Sequence, residues 1–453
     1  MGKTEYQSES PTLAVAGRKD FSKSRELQPK AHRLIPGGAH TYAKGDDQYP
    51  EDAPAFIARG KGCHVWDLDD NEFIEYGMGL RAVTLGHAYE PVVEAAYRQM
   101  LLGANFTRPA EIEVDLAEAM ADLIEGADMV KFAKNGSDVT TAAVKLARAY
   151  TGRNLIAICG DHSFFSIDDW FIGTTEVKAG IPQGITDMTL KFRYNDVESL
   201  QSLFDQYPSQ IACVVMEPEA GAAPLPGYLS QVKQICEERG AVLIFDEMIT
   251  GFRWHLRGAQ KYYEVVPHLS TFGKAMGNGF AISALVGKRE IMRLGGLQHD
   301  QPRVFLLSTT HGAETHALAA SLATLKIFRE KHVVEFLWQQ GERLRNLVNR
   351  SIVENRLDGF FEVTGKPCNL VFATCDQDGK RSQAFRTLFM QELIRRGVIA
   401  PSFVVSYSHS DADIDRTAEA VFDAHVVYRK ALDEGVEKYL EGRPVKPVYR
   451  RYN

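Results

Sequence analysis

The sequence predicts an α/β protein built on a mostly parallel central sheet. Short apolar runs ("DMVKFAK", "NLIAICG", "IACVVMEP", "AVLIFDE") recur through the middle of the chain. Helical stretches such as "VTTAAVKLARAYTG" and "LSQVKQICEERG" separate them, and this strand–helix alternation implies parallel strands with helices on both faces. At 453 residues, with 45% hydrophobic and 25% charged side chains, the chain has the composition of an ordinary globular protein and can bury a large core.

Before the sheet region, residues 22–36 carry a helical pattern that stops at the Pro/Gly/Asp-rich "IPGGAHTYAKGDD". The segment "AFIARGKGCHVWDLDDNEFIEY", from Ala55 to Tyr76, combines short runs with the turn signal "DLDDNE" and predicts a small antiparallel meander. Beyond Ala317 one long helical stretch is expected, then two strands, "FFEVTG" and "LVFATC", in a second, smaller α/β unit that closes with a helix over 412–440. The sequence has no internal repeat, heptad seam or low-complexity segment.

Several function classes are poorly served. A net charge of −7 and no basic run longer than a pair such as Arg395–Arg396 argue against nucleic acid as a partner. The N-terminal "MGKTEYQSESPTLAVAGRKD" lacks the apolar core of a signal peptide, and no apolar stretch reaches the ~18 residues of a membrane span. Six cysteines without CxxC or metal-ligand spacing read as buried free thiols in a reducing compartment, so a cytoplasmic location is expected. Neither a Walker loop, nor a GxGxxG fingerprint after a strand, nor an HExxH-type metal pattern is present, and no metal is expected.

In open parallel sheets ligands sit beyond the carboxyl ends of the strands, and four places there are chemically unusual. Asn135, Gly136 and Ser137 in "KNGSDV" open a helix directly after a strand, offering free N–H groups, a hydroxyl and the positive helix end to a phosphate or carboxylate. The plainer alternative makes Ser137 or Asp138 an N-cap. Asp246 and Glu247 follow an apolar strand in "AVLIFDEMITGF", where a buried carboxylate needs a specific cationic partner or else serves only as a cap; Glu217 in "VVMEPEAG" ends another strand. Lys274 in "STFGKAMGNG" lies in a tight loop of small residues, where a depressed pKa supplies a nucleophilic amine; the alternative is a surface lysine in a flexible turn. A phosphate cradle, a strand-end acid and a nucleophilic amine together suit pyridoxal 5′-phosphate (PLP), whose phosphate, ring nitrogen and aldehyde they match.

The motifs "FDEMITGFR", "TFGKAMGNG", "KNGSDVTTAAVKLARAYTGR" and "LGHAYEP" make the chain resemble the class III, ornithine-type, aminotransferases, and within them the glutamate-1-semialdehyde 2,1-aminomutase-like proteins, over about residues 25–425. The resemblance implies the PLP-dependent fold-type I architecture and a cytoplasmic homodimer with shared active sites. It places an N-terminal segment over 1–105, a large PLP-binding domain over 106–325 and a C-terminal small domain over 326–453. It implies amino transfer from a small amino donor to a keto or aldehyde acceptor through a Schiff base on Lys274, with intramolecular aminomutation as the alternative and a non-catalytic PLP-fold binding protein as a minor one. By position, Asp246 is implied as the ring-nitrogen partner, Met248 as a ring-face contact, Asn135, Gly136 and Ser137 as phosphate ligands, Glu217 as a cofactor contact, and Thr310 as reaching the neighbouring subunit's phosphate.

The departures concern the substrate. Where relatives carry Tyr-His-Gly this chain has "GDHSFFSIDDW", making His162 the positional match for the ring stack, with Phe164 or Phe165 as substitutes. The asparagine after "EPxxG" is replaced by Ala222. The arginine near "PGG" that grips the aminomutase substrate is matched by Lys44, and the pocket tryptophan by Leu80 and Arg81 in "GMGLRAVTLGH". Arginine and lysine are not equivalent for bidentate carboxylate recognition. Tyr42, Lys44, Arg81 and His311 are therefore the candidate substrate-side residues, with a structural ion pair as the other reading of Arg81.

Overall fold

A computed structural model describes residues 19–452; most of the N-terminal stretch "MGKTEYQSESPTLAVAGRKD" lies outside the described residues. The first helix, Ser22–Leu34, stops where Ile35 turns extended before Pro36. Three short strands then make the expected meander: β1 (Ile57–Lys61), β2 (His64–Asp67) and β3 (Glu72–Glu75), each antiparallel to its neighbour.

Seven strands form the central sheet: β4 (Met129–Ala133), β5 (Leu155–Cys159), β6 (Thr189–Phe192), β7 (Ile211–Met216), β8 (Val242–Asp246), β9 (Leu269–Phe272) and β10 (Ser283–Gly287). Their spatial order is β4-β10-β9-β8-β7-β5-β6. All neighbouring pairs are parallel except those of β10, which runs antiparallel to both β9 and β4. Every residue of β7 and β8 is buried, as a strand covered on both faces requires. Consequently β4, β5, β7, β8 and β9 all point their carboxyl ends toward one edge of the sheet.

The long helical stretch expected after Ala317 is two helices, Thr315–Glu330 and Val333–Glu354. His332, at φ 50°, adopts the left-handed conformation and turns the chain between them. A two-stranded ladder, β11 (Phe361–Thr364) with β12 (Val371–Thr374), follows. The chain then runs through helix Gln383–Arg395 to β13 (Val398–Ile399), which pairs parallel to β3 and ties the C-terminal part to the N-terminal meander. The closing helix is Asp411–Glu434; its Asp413 accepts from His64 Nε2 at 3.0 Å and from the Cys63 thiol at 3.5 Å across the same junction. All six cysteines are buried and unpaired. Among the described residues no helix is long and apolar enough to cross a membrane.

One contact in this C-terminal part has no spare room. A Cβ placed on Gly341, inside helix Val333–Glu354, meets the Pro367 carbonyl oxygen at 1.8 Å. Gly341→Ala should therefore destabilise the protein by about 1–3 kcal/mol through overpacking. Denaturant unfolding measures it, and a variant as stable as the parent would show that the helix and the Pro367 turn are not packed this closely.

Candidate active site

The carboxyl ends of β4, β5, β7, β8 and β9 carry Asn135–Ser137, His162, Glu217, Asp246 and Lys274 at one edge of the sheet. After β4, Asn135 caps helix Gly136–Thr151, and its backbone N–H donates to Asp138 at 2.9 Å. Ser137 is not the cap: its hydroxyl oxygen accepts from the Ile167 N–H at 3.0 Å, which leaves its own proton to donate. The helix thus begins with its first N–H groups and the Ser137 hydroxyl at the sheet edge, an arrangement suited to an anion.

Met248 shows how closely the neighbouring loops approach. A Cβ on Gly136 would lie 3.1 Å from the Met248 sulfur, and one on Gly273 2.7 Å from it. The thioether is therefore wedged between the start of the helix and the loop that carries Lys274. Lys274 has a left-handed backbone, φ 42°, and its amine makes no hydrogen bond or ion pair among the described residues. Burial depresses its pKa, opposed by the charges of Asp246 and Glu217 and reinforced by those of Arg253 and Arg81. An amine with weakened hold on its proton is what nucleophilic and proton-transfer chemistry needs.

The acids around it respond in the opposite direction. Asp246, 3% exposed, is pushed up to about 6 by burial, with Lys274 and the Met248 N–H (2.9 Å) pulling down. Glu217 is pushed up to about 8 by burial and by Asp246. Glu247 does not need the cation expected for it: the Ala259 and Gln260 N–H groups, at 2.8 and 2.7 Å, and the Thr250 hydroxyl at 2.5 Å solvate it. It fastens one turn to the next rather than facing the site.

His162 is buried beside Phe165 and Tyr194. Its Nδ1 accepts from the Glu217 N–H at 3.1 Å, so Nε2 carries the ring proton, and this buried donor has no protein partner. Phe165 is packed into the core against Phe171, whereas Phe164 is exposed. Tyr42 and Lys44 lie exposed on short helical turns, Lys44 on the wall of a cavity of about 860 Å³ that also meets Leu80 and Glu75. Thr310 and His311 are exposed on a loop that Glu314 holds to Lys134.

Arg81 sits where four successive residues, Met78, Gly79, Leu80 and Arg81, have φ between 41° and 70°. They form one left-handed helical turn, closed by Arg81 N–H to Gly77 O and Val83 N–H to Met78 O, both 3.0 Å. Such a turn costs about 1–2 kcal/mol per non-glycine residue. The structural ion pair is not found. The guanidinium donates to Asn369 Oδ1 at 2.7 Å and to the Ser402 hydroxyl at 3.5 Å, and no carboxylate among the described residues is in ion-pair range. Arg253, fully buried, was legible only as part of the "GFR" motif, and nothing near Asn369 or Ser402 in the sequence marks them. Asn278 was missed too; its side chain bonds Leu85 N–H at 2.8 Å and Gly86 O at 3.1 Å, docking the lysine loop onto the segment after the left-handed turn.

The profile of the aminotransferase class-III family matches residues 46–421. The chain belongs to the class-III aminotransferase family. It is similar to glutamate-1-semialdehyde 2,1-aminomutase of Sulfurihydrogenibium sp. (strain YO3AOP1), 32% identical over 88% of this chain and 98% of that protein. It is likewise similar to the 3-aminobutyryl-CoA aminotransferase of Cloacimonas acidaminovorans (strain Evry), 31% identical over 92% of this chain and all of the relative. Among solved structures, the FumI protein of Sphingopyxis sp. MTA144 in its PLP internal aldimine form superposes with a TM-score of 0.83 at 28% identity, over 91% of this chain and 97% of that one.

PLP is the cofactor of this class-III aminotransferase, and the residues present fit it. The N–H groups at the helix start suit the phosphate, the buried carboxylate of Asp246 suits a protonated ring nitrogen, the Nε2–H of His162 is a buried donor without a partner among the described residues, and Lys274 offers an amine.

Glu217 gives the cofactor-free protein a distinctive pH dependence. Its folded pKa lies above the ordinary 4.5, so between 4.5 and about 8 the folded chain binds more protons than the unfolded one, and stability falls as pH rises through that window. Glu217→Gln should flatten this decline in thermal unfolding of the apoprotein; an unchanged slope would remove Glu217 as its source.

Proposed function

We propose that this PLP-dependent enzyme catalyses ping-pong transfer of an amino group from a carboxylate-bearing amino donor to a keto or aldehyde acceptor. The observation that carries the reading is the unpaired, pKa-depressed amine of Lys274, set among Asp246 and Glu217 at the carboxyl edge of the sheet. When bound, PLP supplies an electron sink for the bond being broken.

The chain's own residues do the rest. Lys274 holds the cofactor by its amine and, once displaced, moves the proton at the substrate carbon that carries nitrogen. Asp246, as a carboxylate, keeps a proton on the ring nitrogen opposite it. The N–H groups of Gly136 and Ser137 with the Ser137 hydroxyl would bind the phosphate, with Asn135 holding the helix start through its N–H to Asp138; Met248, His162 and Glu217 would border the ring. Arg81 orients the donor's carboxylate; its guanidinium has donors beyond those used on Asn369 and Ser402, and a planar fork suits a carboxylate. Lys44 and Tyr42 face the route by which the second substrate enters, and Lys44 lines the adjoining cavity.

Intramolecular aminomutation is the second reading, favoured by the similarity to the Sulfurihydrogenibium aminomutase. Leu80 and Arg81 in the substrate wall, and Lys44 in place of the carboxylate-binding arginine, favour intermolecular transfer. Two copies sharing their sites complete the picture: the exposed Thr310 and His311 are available to a neighbour's phosphate and substrate. Light scattering at twice the chain mass supports this, and a monomer with full activity would remove it. Six unpaired thiols support a reducing compartment such as the cytoplasm.

Three measurements test the chemistry. Borohydride should fix the cofactor on Lys274, and Lys274→Ala should lose that label and about 10²–10⁴-fold or more of turnover; a label mapped to another lysine moves the nucleophile. Asp246→Ala should slow proton abstraction more than it weakens cofactor binding, and unchanged turnover would take Asp246 away from the ring nitrogen. Glutamate or alanine without acceptor should bleach the visible band of the holoenzyme with release of a 2-oxo acid; turnover without released oxo acid would favour the aminomutase.

A further inference from the structure

We infer that Arg253 is a positioning residue for substrate recognition: its buried guanidinium pins the left-handed turn Met78–Arg81, and the pinned turn aims Arg81 at the carboxylate of the amino donor. The inference rests on the proposed role of Arg81 and adds what holds that side chain in place.

Arg253 is 0% exposed, yet no carboxylate among the described residues is within ion-pair range of it. Burying a guanidinium without an anion is unfavourable unless its N–H groups are otherwise satisfied. Its two Nη groups are partly satisfied, one of them at the left-handed turn, while Nε has no hydrogen-bond partner among the described residues. One Nη donates to the Arg81 carbonyl in a short hydrogen bond and to the Thr84 hydroxyl at 2.8 Å; the other donates to Ile249 O at 3.2 Å. The carbonyl it holds belongs to the last of the four residues with positive φ. Phe252, immediately before it, is itself left-handed at φ 61° and buried, so the backbone is bent on both sides of this contact. The Trp338 indole N–H anchors the Arg253 carbonyl from the far side at 2.9 Å.

A turn of this hand is unfavourable for Met78, Leu80 and Arg81, and it persists where its surroundings over-determine it. Here those surroundings are the Arg253 clamp on Arg81's main chain and the Asn369–Ser402 contacts on Arg81's side chain. With both ends of Arg81 held, its remaining N–H groups have a fixed direction before any substrate arrives. Such preorganisation strengthens bidentate recognition of a carboxylate. A purely structural Arg253 would stabilise the fold without bearing on one chemical group of a ligand.

The test compares two carbonyl reagents on the holoenzyme, followed by loss of the cofactor's visible band: aminooxyacetate, which carries a carboxylate, and methoxyamine, which does not. The parent protein should capture aminooxyacetate at least about tenfold more efficiently. Arg81→Gln should abolish that advantage. Arg253→Lys, which keeps the charge but loses the fork, and Thr84→Val, which removes one acceptor, should each reduce it several-fold while methoxyamine capture stays within about twofold of the parent.

If Arg81→Gln leaves the advantage intact, the carboxylate role of Arg81 fails. If Arg81→Gln removes it but both Arg253→Lys and Thr84→Val retain it, the role of Arg81 stands and the positioning role of Arg253 is overturned. If both clamp variants slow the two reagents equally, Arg253 is a structural residue only and the inference is likewise overturned. Should Arg253→Lys fail to fold, Thr84→Val alone decides.

Discussion

A primary amine kept out of water among buried acids is the constraint on which the site depends. Burial depresses the Lys274 pKa, and the loop that carries it packs closely: Met248 fills the space a side chain on Gly273 would occupy, and Ile282 the space one on Gly277 would. Asp246 and Glu217 lower the cost of burying a cation there, and the same burial raises their own pKa values. These shifts have one physical source, a low-dielectric pocket at the carboxyl ends of five strands of like direction. Antiparallel β10, inserted between β4 and β9, leaves that geometry intact because β4 still runs with the rest.

The cofactor half of the site was legible because each of its parts is local. A helix opening after a strand, an acid closing an apolar run and a lysine among small residues all mark themselves within a few positions. The fold class was legible for a similar reason, since apolar runs and helices alternate at a fixed scale. Other features depend on partners far away in sequence. Nothing near Arg81 announces that its side chain meets Asn369 and Ser402, or that its backbone is left-handed; only Gly79 in the turn hints at positive φ. Glu247 took the plainer of its two readings, and its partners were hidden for the same reason: its solvation comes from the N–H groups of Ala259 and Gln260, which pattern alone does not bring near. The single long helix expected after Ala317 is divided at His332, a residue that carries no helix-stop signal of its own.

The two halves of the site differ in kind as well as legibility. The groups proposed to serve the cofactor are backbone N–H groups and strand-end side chains, and these come with the sheet. The substrate side is built from a strained turn, a buried guanidinium and polar contacts between distant segments. Changing what the enzyme accepts therefore requires changes to the second set, which the sheet does not constrain.

The pairing of β3 with β13 has a consequence for how the molecule is assembled. Residues 135–274, which make the cofactor half, can come together while the chain is still being synthesised. Arg81 meets Asn369 and Ser402 at sequence separations of 288 and 321, and the strand that joins those segments is completed only at Ile399. Contacts of such separation form late and slowly. On the proposed roles, a nascent chain thus acquires the means to hold its cofactor well before it acquires the means to choose what reacts with it.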